Sequence, residues 1–475
     1  MKFRTRLLLF SLVVVAGCGK GPAPEAKTTP VRFVGDTIRF RVPASSPLRD
    51  ALEIRLEEWG ARTGGKAELV EEGEADLVLL DGQQRFSAGP LPPIPKEILK
   101  NPAIGFDSFA PRYKQVFGAR EKVPVAVPLA SDGVFLWYRT DLFKDPEILE
   151  SFQKKHRREL APPASWPEYL QVAEFFYGHP RVKYGTVEAM DDSPVAARLL
   201  LVHAAALAKG PRWSSFTLDA ETVSPLLSNP PFVRALEQRI RARSFSPANE
   251  SPNQVAISDE IARRIFREGN AAMLLSSVPP TVGMASSEQS SFAKSIDVAA
   301  IPGSNELFNP RSDRFDESMP INHCHHLATT GLYVAFARQP SPAATHLFAF
   351  LLDREGSSYL VQASRKGVLP AWPSLLAEPE AFRGYGLTAS TTRKLFQLIS
   401  QGLKAENWVA DLRTTGAPEM EHSLAKQLVR ALEGKSTPKE ALGAAAKEWE
   451  LLIGRNREAI LTQYRASLGL PALIQ

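Results

Sequence analysis

Two cysteines in 475 residues allow at most one intrachain disulfide, so a fold held together by several disulfides is excluded. Lysines and arginines form no run interleaved with aromatic residues. The net charge of +5 also comes partly from Lys2, Arg4 and Arg6 at the extreme N-terminus, so a nucleic-acid footprint is not supported. The 38 prolines are scattered and form no PxxP tract, and no repeat with a period of about 20–50 residues is present. Catalytic signatures are missing too: there is no G-x-S-x-G, no Walker motif, no G-x-G-x-x-G after a strand and no H-E-x-x-H. The composition is ordinary, 44% apolar and 23% charged, which excludes wholesale disorder and a polytopic membrane protein. A chain of this length supports two or three domains, each with a sizeable core.

The N-terminus has a clear order. "MKFRTR" is a basic segment, "LLLFSLVVVAG" is apolar, and Cys18 follows directly. The apolar run falls short of the ~20 residues that cross a bilayer and has the form of an export signal. "VAGC" resembles the bacterial lipobox, which implies cleavage before Cys18 and its lipidation. "GKGPAPEAKTTP" is small, polar and proline-containing, as suits a tether between a lipid anchor and a folded body. Residues 1–18 are therefore expected to be a lipoprotein signal and 19–35 a flexible tether. With Cys18 lipidated, Cys324 has no intrachain partner.

Beyond the tether, Ile38, Phe40 and Val42 alternate as in a strand. Ser46 as N-cap and Pro47 at the first helical position predict a helix, with Leu48, Leu52, Leu56 and Trp59 on one face. "KAELVEE" and "EADLVLLDG" read as further strands, giving an open α/β sheet. Ligands of such sheets sit beyond the carboxyl ends of the strands, here Ala44–Ser46 and Asp81–Gln84. The chain after about residue 380 reads as helical.

Several later segments follow one another in an informative order: "VPLASDGVFLWYRTDLF" (127–143), "PPASWPEYLQVA" (162–173), "FREGNAAMLLSS" (266–277), "VAAIPG" (298–303), "YVAFARQPSPAATHLFAFLL" (333–352) and "GVLP" (367–370). In this order, behind a lipobox-like signal, the chain resembles the extracellular solute-binding proteins of ABC transporters, in the sugar-binding class similar to maltose-binding protein. The resemblance implies two α/β lobes joined by crossing strands at a hinge, with ligand captured between them. It implies an N-terminal lobe of 36–130 plus 327–370 and a C-terminal lobe of 131–326 plus 371–475. Crossings are expected near Pro128–Val134 and Leu327–Gly331. The sequence departs from the family pattern at Arg139, where an asparagine is usual, at "NHCHHLATTG", usually glycine-rich, and in a longer 304–326 segment.

A polyol offers hydroxyls to carboxylates and amides, and C–H faces to aromatic rings. On that chemistry the candidate ligand-binding residues are Ser45, Asp81, Gln83, Asp132, Trp137, Tyr138, Ser276, Asn322, His323, His325 and Trp372. Trp137 and Tyr138 point to opposite faces of an extended segment, so no more than one faces a cleft. Trp166 reads as a packing residue, and Trp408 and Ser277 are further candidates.

"NHCHH" (322–326) concentrates three histidines and a cysteine. In an extended segment His323 and His325 share one face, Cys324 and His326 the other, so each face offers at most two ligands for a metal. The cluster is expected at the cleft edge as hydrogen-bonding groups, with no metal and no cofactor. "ADLRTTG" (410–416) is a notable loop with no mechanism attached. The expected function is capture of a small polar ligand, a carbohydrate first, by a lipid-anchored extracytoplasmic lipoprotein that delivers it to ABC permease subunits. No enzymatic activity is expected. The alternatives are a metal-binding or metal-dependent envelope protein using 322–326, capture of a metal complex, polyamine or anion, and a ligand-free sensory or scaffold lipoprotein.

Overall fold

The computed structural model describes residues 32–82, 84, 89–120, 123–131, 133–211, 213–250, 257–285, 291–327, 331–364, 367–382 and 384–471. Cys18, Gln83 and Asp132 lie outside the described residues, as do the signal and most of the tether.

Two sheets organise the chain. The first contains β1 (Thr37–Arg41), β2 (Lys66–Val70), β3 (Leu77–Leu80), β6 (Ala126–Ser131), β14 (Leu332–Phe336) and β15 (Leu369–Pro370), in the order β15-β6-β14-β3-β1-β2. β1 runs parallel to β2 and β3, whereas β14 runs antiparallel to β3 and β6. The second contains β7 (Phe135–Arg139), β8 (Tyr184–Val187), β9 (Ala271–Ser276) and β10 (Ile296–Ala299), in the order β10-β7-β9-β8. Short antiparallel pairs complete the strands: β4 (Ala119–Arg120) with β5 (Val123–Pro124), and the hairpin β11 (Ser304–Asn309) with β12 (Arg314–Asn322). β13 (His325–Leu327) pairs in parallel with β16 (Trp408–Ala410).

The apolar patterns place the cores. Ile38, Phe40 and Val42 are buried, as are Leu48, Leu52, Leu56 and Trp59 on the helix Arg49–Thr63. That helix begins later than the Ser46–Pro47 pair predicts. The Ser46 hydroxyl accepts from the Leu48 amide at 3.3 Å, which holds 46–48 in a turn and leaves Leu48 at the N-cap. In the second lobe, Ser165 caps the helix Trp166–Phe176, its hydroxyl accepting from the Glu168 amide at 3.4 Å. Trp166 stacks on His203 at 3.7 Å, and the buried Glu188 carboxylate lies between His203 and Arg239.

The chain leaves the first sheet at Ser131, the end of β6, and enters the second at Phe135, the start of β7, within the expected crossing. It returns between β13 and β14. The tail is helical over Ala389–Lys404, Ala417–Leu432, Pro438–Gly454 and Arg457–Ser467, but β16 interrupts it. Composition alone did not anticipate that strand, because its partner is the distant His325–Leu327.

Candidate functional site

The carboxyl ends of β1 and β3 open into a cavity of about 340 Å³ between the two sheets. Ser45, Ser46, Asp81, Gln84 and Ser131 line it from the first lobe and Ser277 from the second. The loop after β3 is pinned by its own side chains. Asp81 Oδ1 accepts from the Gln84 amide at 2.6 Å, and Gln84 Oε1 accepts from the Asp81 amide at 3.2 Å. The second Asp81 oxygen has no partner among the described residues, so it remains an acceptor facing the cavity. Ser131 is already committed, its hydroxyl donating to Pro370 O at 2.8 Å.

The lobes meet at the rim. Gly367 has φ +79°, and a Cβ built on it would lie 2.5 Å from Val278 Cγ1 and 3.4 Å from Pro279 Cδ. The first-lobe turn "GVLP" therefore touches the end of β9 through a glycine whose conformation disfavours any other residue.

This architecture, two α/β lobes joined by crossing strands with a cavity between them, is similar in fold to solved ABC solute-binding proteins. Maltose-bound MalE3 of T. maritima is similar over 88% of this chain and 99% of its own, with a TM-score of 0.61 and 17% identity. A ribitol-complexed ABC solute-binding protein of Agrobacterium radiobacter matches over 89% and 100%, with a TM-score of 0.61 and 16% identity. One from Thermotoga lettingae bound with alpha-D-tagatose matches over 88% and 100%, with a TM-score of 0.62 and 16% identity. No family model and no curated protein sequence matches the chain.

The solute-binding fold separates the sequence-derived candidates into three groups. Ser45 and Asp81 join the interlobe cavity. His323 and His325 line a different cavity, of about 260 Å³, beside the crossings. Of the other described candidates, Ser277 lines the interlobe cavity and the rest face neither, each for a physical reason. Trp137 is fully buried in β7, and Trp372 is 2% exposed with its ring edge-to-face against Phe109 at 4.6 Å. The Tyr138 hydroxyl donates to Asp297 at 3.0 Å, and that carboxylate also takes Lys394 at 2.8 Å. Burial, then the Asp297 charge, pushes the phenol well above its usual range. Ser276 donates to Asp259 at 2.8 Å, turned toward the helix before its own strand, and its neighbour Ser277 takes the cavity position. Asn322 Nδ2 donates to Ala206 O at 2.7 Å and Lys209 O at 3.0 Å, fastening β12 to a helix end. Trp408 carries the Arg112 guanidinium over its ring at 4.4 Å, and Trp166 packs in the core as expected. Arg139, the departure from the family pattern, bonds Asp141 at 2.7 Å and Gly269 O at 3.0 Å.

The "NHCHH" segment alternates as an extended strand should: Cys324 and His326 are buried, His325 half-buried and His323 exposed. Burial pushes the Cys324 thiol up to about 12, with Lys209 opposing, so it stays protonated. The His326 ring is bonded to Asp411, whose carboxylate also meets Arg198 at 3.2 Å. Burial pushes Asp411 up, but His326, Arg198 and Arg413 outweigh it and hold the carboxyl below its usual range. The "ADLRTTG" loop thus supplies the anion that fixes His326. Among the described residues, no three His, Cys, Asp or Glu side chains are grouped to hold a metal ion, and no helix is long and apolar enough to cross a membrane.

Sequence reading underweighted Ser46, Ser277 and Gly367. The strand-end rule reaches the first. Ser277 is among the further sequence candidates, and Gly367 becomes visible only when the lobes are brought together.

Proposed function

We propose that the protein captures a small carbohydrate or polyol in the interlobe cavity and presents it to the permease subunits of an ABC importer, without making or breaking a bond. The observation that carries this reading is the cavity itself, where hydroxyls and a half-free carboxylate from the strand ends of one lobe face Ser277 of the other. Its volume, about 340 Å³, suits a small solute. Supporting the ligand class, solved proteins of similar fold hold maltose, ribitol and alpha-D-tagatose.

In this reading 36–130 plus 327–370 form the N-terminal lobe and 131–326 plus 371–475 the C-terminal lobe, and closure brings Val278 onto Gly367. Gln83 and Asp132 extend the ligand contacts. Cys18 is the lipid attachment point, which places the protein outside the cytoplasm on a bacterial envelope membrane, with residues 19–35 as the tether.

The test is a thermal-shift screen against hexoses, disaccharides and alditols, followed by titration calorimetry of any hit on wild type and Asp81→Ala. A stabilising sugar or alditol whose affinity falls at least ~10-fold in Asp81→Ala supports the reading. A screen in which none stabilises, or a hit indifferent to Asp81, counts against it. Metabolic labelling with a radioactive fatty acid, expected in wild type and absent in Cys18→Ser, tests the anchor.

A further inference from the structure

Apolar residues wall both cavities, but the one beside the crossings has imidazoles where the interlobe cavity has serine hydroxyls, a carboxylate and an amide. Val134 and Phe135 from the first crossing, Ile301 after β10, and Leu398, Ile399 and Leu403 from the helix Ala389–Lys404 make its walls. Tyr113 closes it from the first lobe. Among its described lining residues none is Asp, Glu, Lys or Arg, and its polar groups are chiefly the imidazoles of "NHCHH", with Gln401 at the edge. His326 is committed to Asp411, but the His325 ring has no hydrogen-bond partner among the described residues. Burial, then His323 and Arg112, pulls His325 below its usual value; burial does the same for His323, with the Ile301 backbone opposing. A neutral imidazole offers one donor and one acceptor.

Such walls do not suit a sugar, whose many hydroxyls need many partners. They suit a ring with one hydroxyl. An apolar cavity of about 150 Å³ accommodates benzene. A space of about 260 Å³ therefore admits a substituted single ring.

We propose that this cavity is a second ligand site, taking a small uncharged molecule with one apolar ring and a hydroxyl group that bonds the His325 imidazole. The ring lies against Phe135 and the Leu398–Leu403 face, and the occupant touches both lobes, through Tyr113 on one side and the helix of Leu398 on the other. The site does not depend on the carbohydrate reading, because it shares no described lining residue with the interlobe cavity.

Titration calorimetry with 4-methylphenol tests it on the full chain. Wild type is expected to give single-site saturation at about 1 mM or tighter. Leu398→Trp, at a half-buried position, fills the cavity and abolishes the saturable heat. His325→Phe keeps the ring but removes the hydrogen-bonding nitrogens and weakens binding at least ~10-fold. Asp81→Ala leaves phenol binding at the wild-type value, whatever it does to sugars. Thermal melts of each variant establish that it is folded. Absence of saturable heat with wild type overturns the proposal. So does an unchanged constant in folded Leu398→Trp or His325→Phe, or loss of phenol binding in Asp81→Ala.

Discussion

The interlobe cavity and the cavity beside the crossings are close in volume, about 340 and 260 Å³, and both have apolar walls, yet their polar groups differ. The first sets serines, a carboxylate and an amide at strand ends among Pro43, Leu79, Val278 and Leu332. The second is lined by aliphatic and aromatic walls with imidazoles set into them. Residues that a single sequence suggests for one ligand, Asp81 and His325 among them, are divided between the two.

The contrast is sharpened first by the aromatics that belong to neither cavity. Trp372→Ala is expected to cost about 3–5 kcal/mol of stability, read from urea melts, because a buried ring packed on Phe109 leaves a void. The affinity of the folded fraction for a sugar should stay within about twofold of wild type. A large affinity loss with unchanged stability would move Trp372 into the site.

Gly367→Val comes next. It forces a side chain onto Val278 and a β-branched residue into positive φ. Sugar affinity should fall about 10–100-fold while phenol binding persists, and small-angle scattering with sugar present should show a larger radius than wild type. Equal radii and equal affinity would mean that the rim contact plays no part in closure.

The smallest effect is electrostatic. Burial comes first among the causes that depress His203, His323 and His325 in the folded protein. An unfolded chain binds those protons at about pH 6.5, so folded stability is complete above that value and falls as pH drops toward the lower folded values. The urea midpoint should decrease from pH 7.5 to 5.5, and His325→Phe should flatten the slope. A midpoint that rises on acidification would reverse the sign and contradict the burial argument.

Much of the fold was legible because its signals are local. Alternation at Ile38, Phe40 and Val42 and the helical spacing of Leu48, Leu52, Leu56 and Trp59 each act over a few residues, and the structure buries both sets. Where signals are long-range, the reading ran out. β16 exists because Trp408–Ala410 finds His325–Leu327, and no periodicity within the tail announces that pairing. The site shows the same division. Ser45 and Asp81 follow from the strand-end rule, whereas Trp137, Tyr138 and Trp372 have residue types suited to sugars but positions that serve the core or an ion pair. Ser276 and Ser277 differ only in which way the strand ends, and Asp259 decides it by taking the Ser276 hydroxyl.

Titration of a stabilising sugar or alditol into wild type and Asp81→Ala bears most directly on capture between the lobes. Saturating ligand, at about 100 times its dissociation constant, should raise wild-type stability by about 2.7 kcal/mol. In Asp81→Ala the same concentration should give a clearly smaller increase, with the isotherm shifted at least ~10-fold. Equal stabilisation of both proteins, or of neither by any member of the panel, would contradict capture between the strand ends and Ser277.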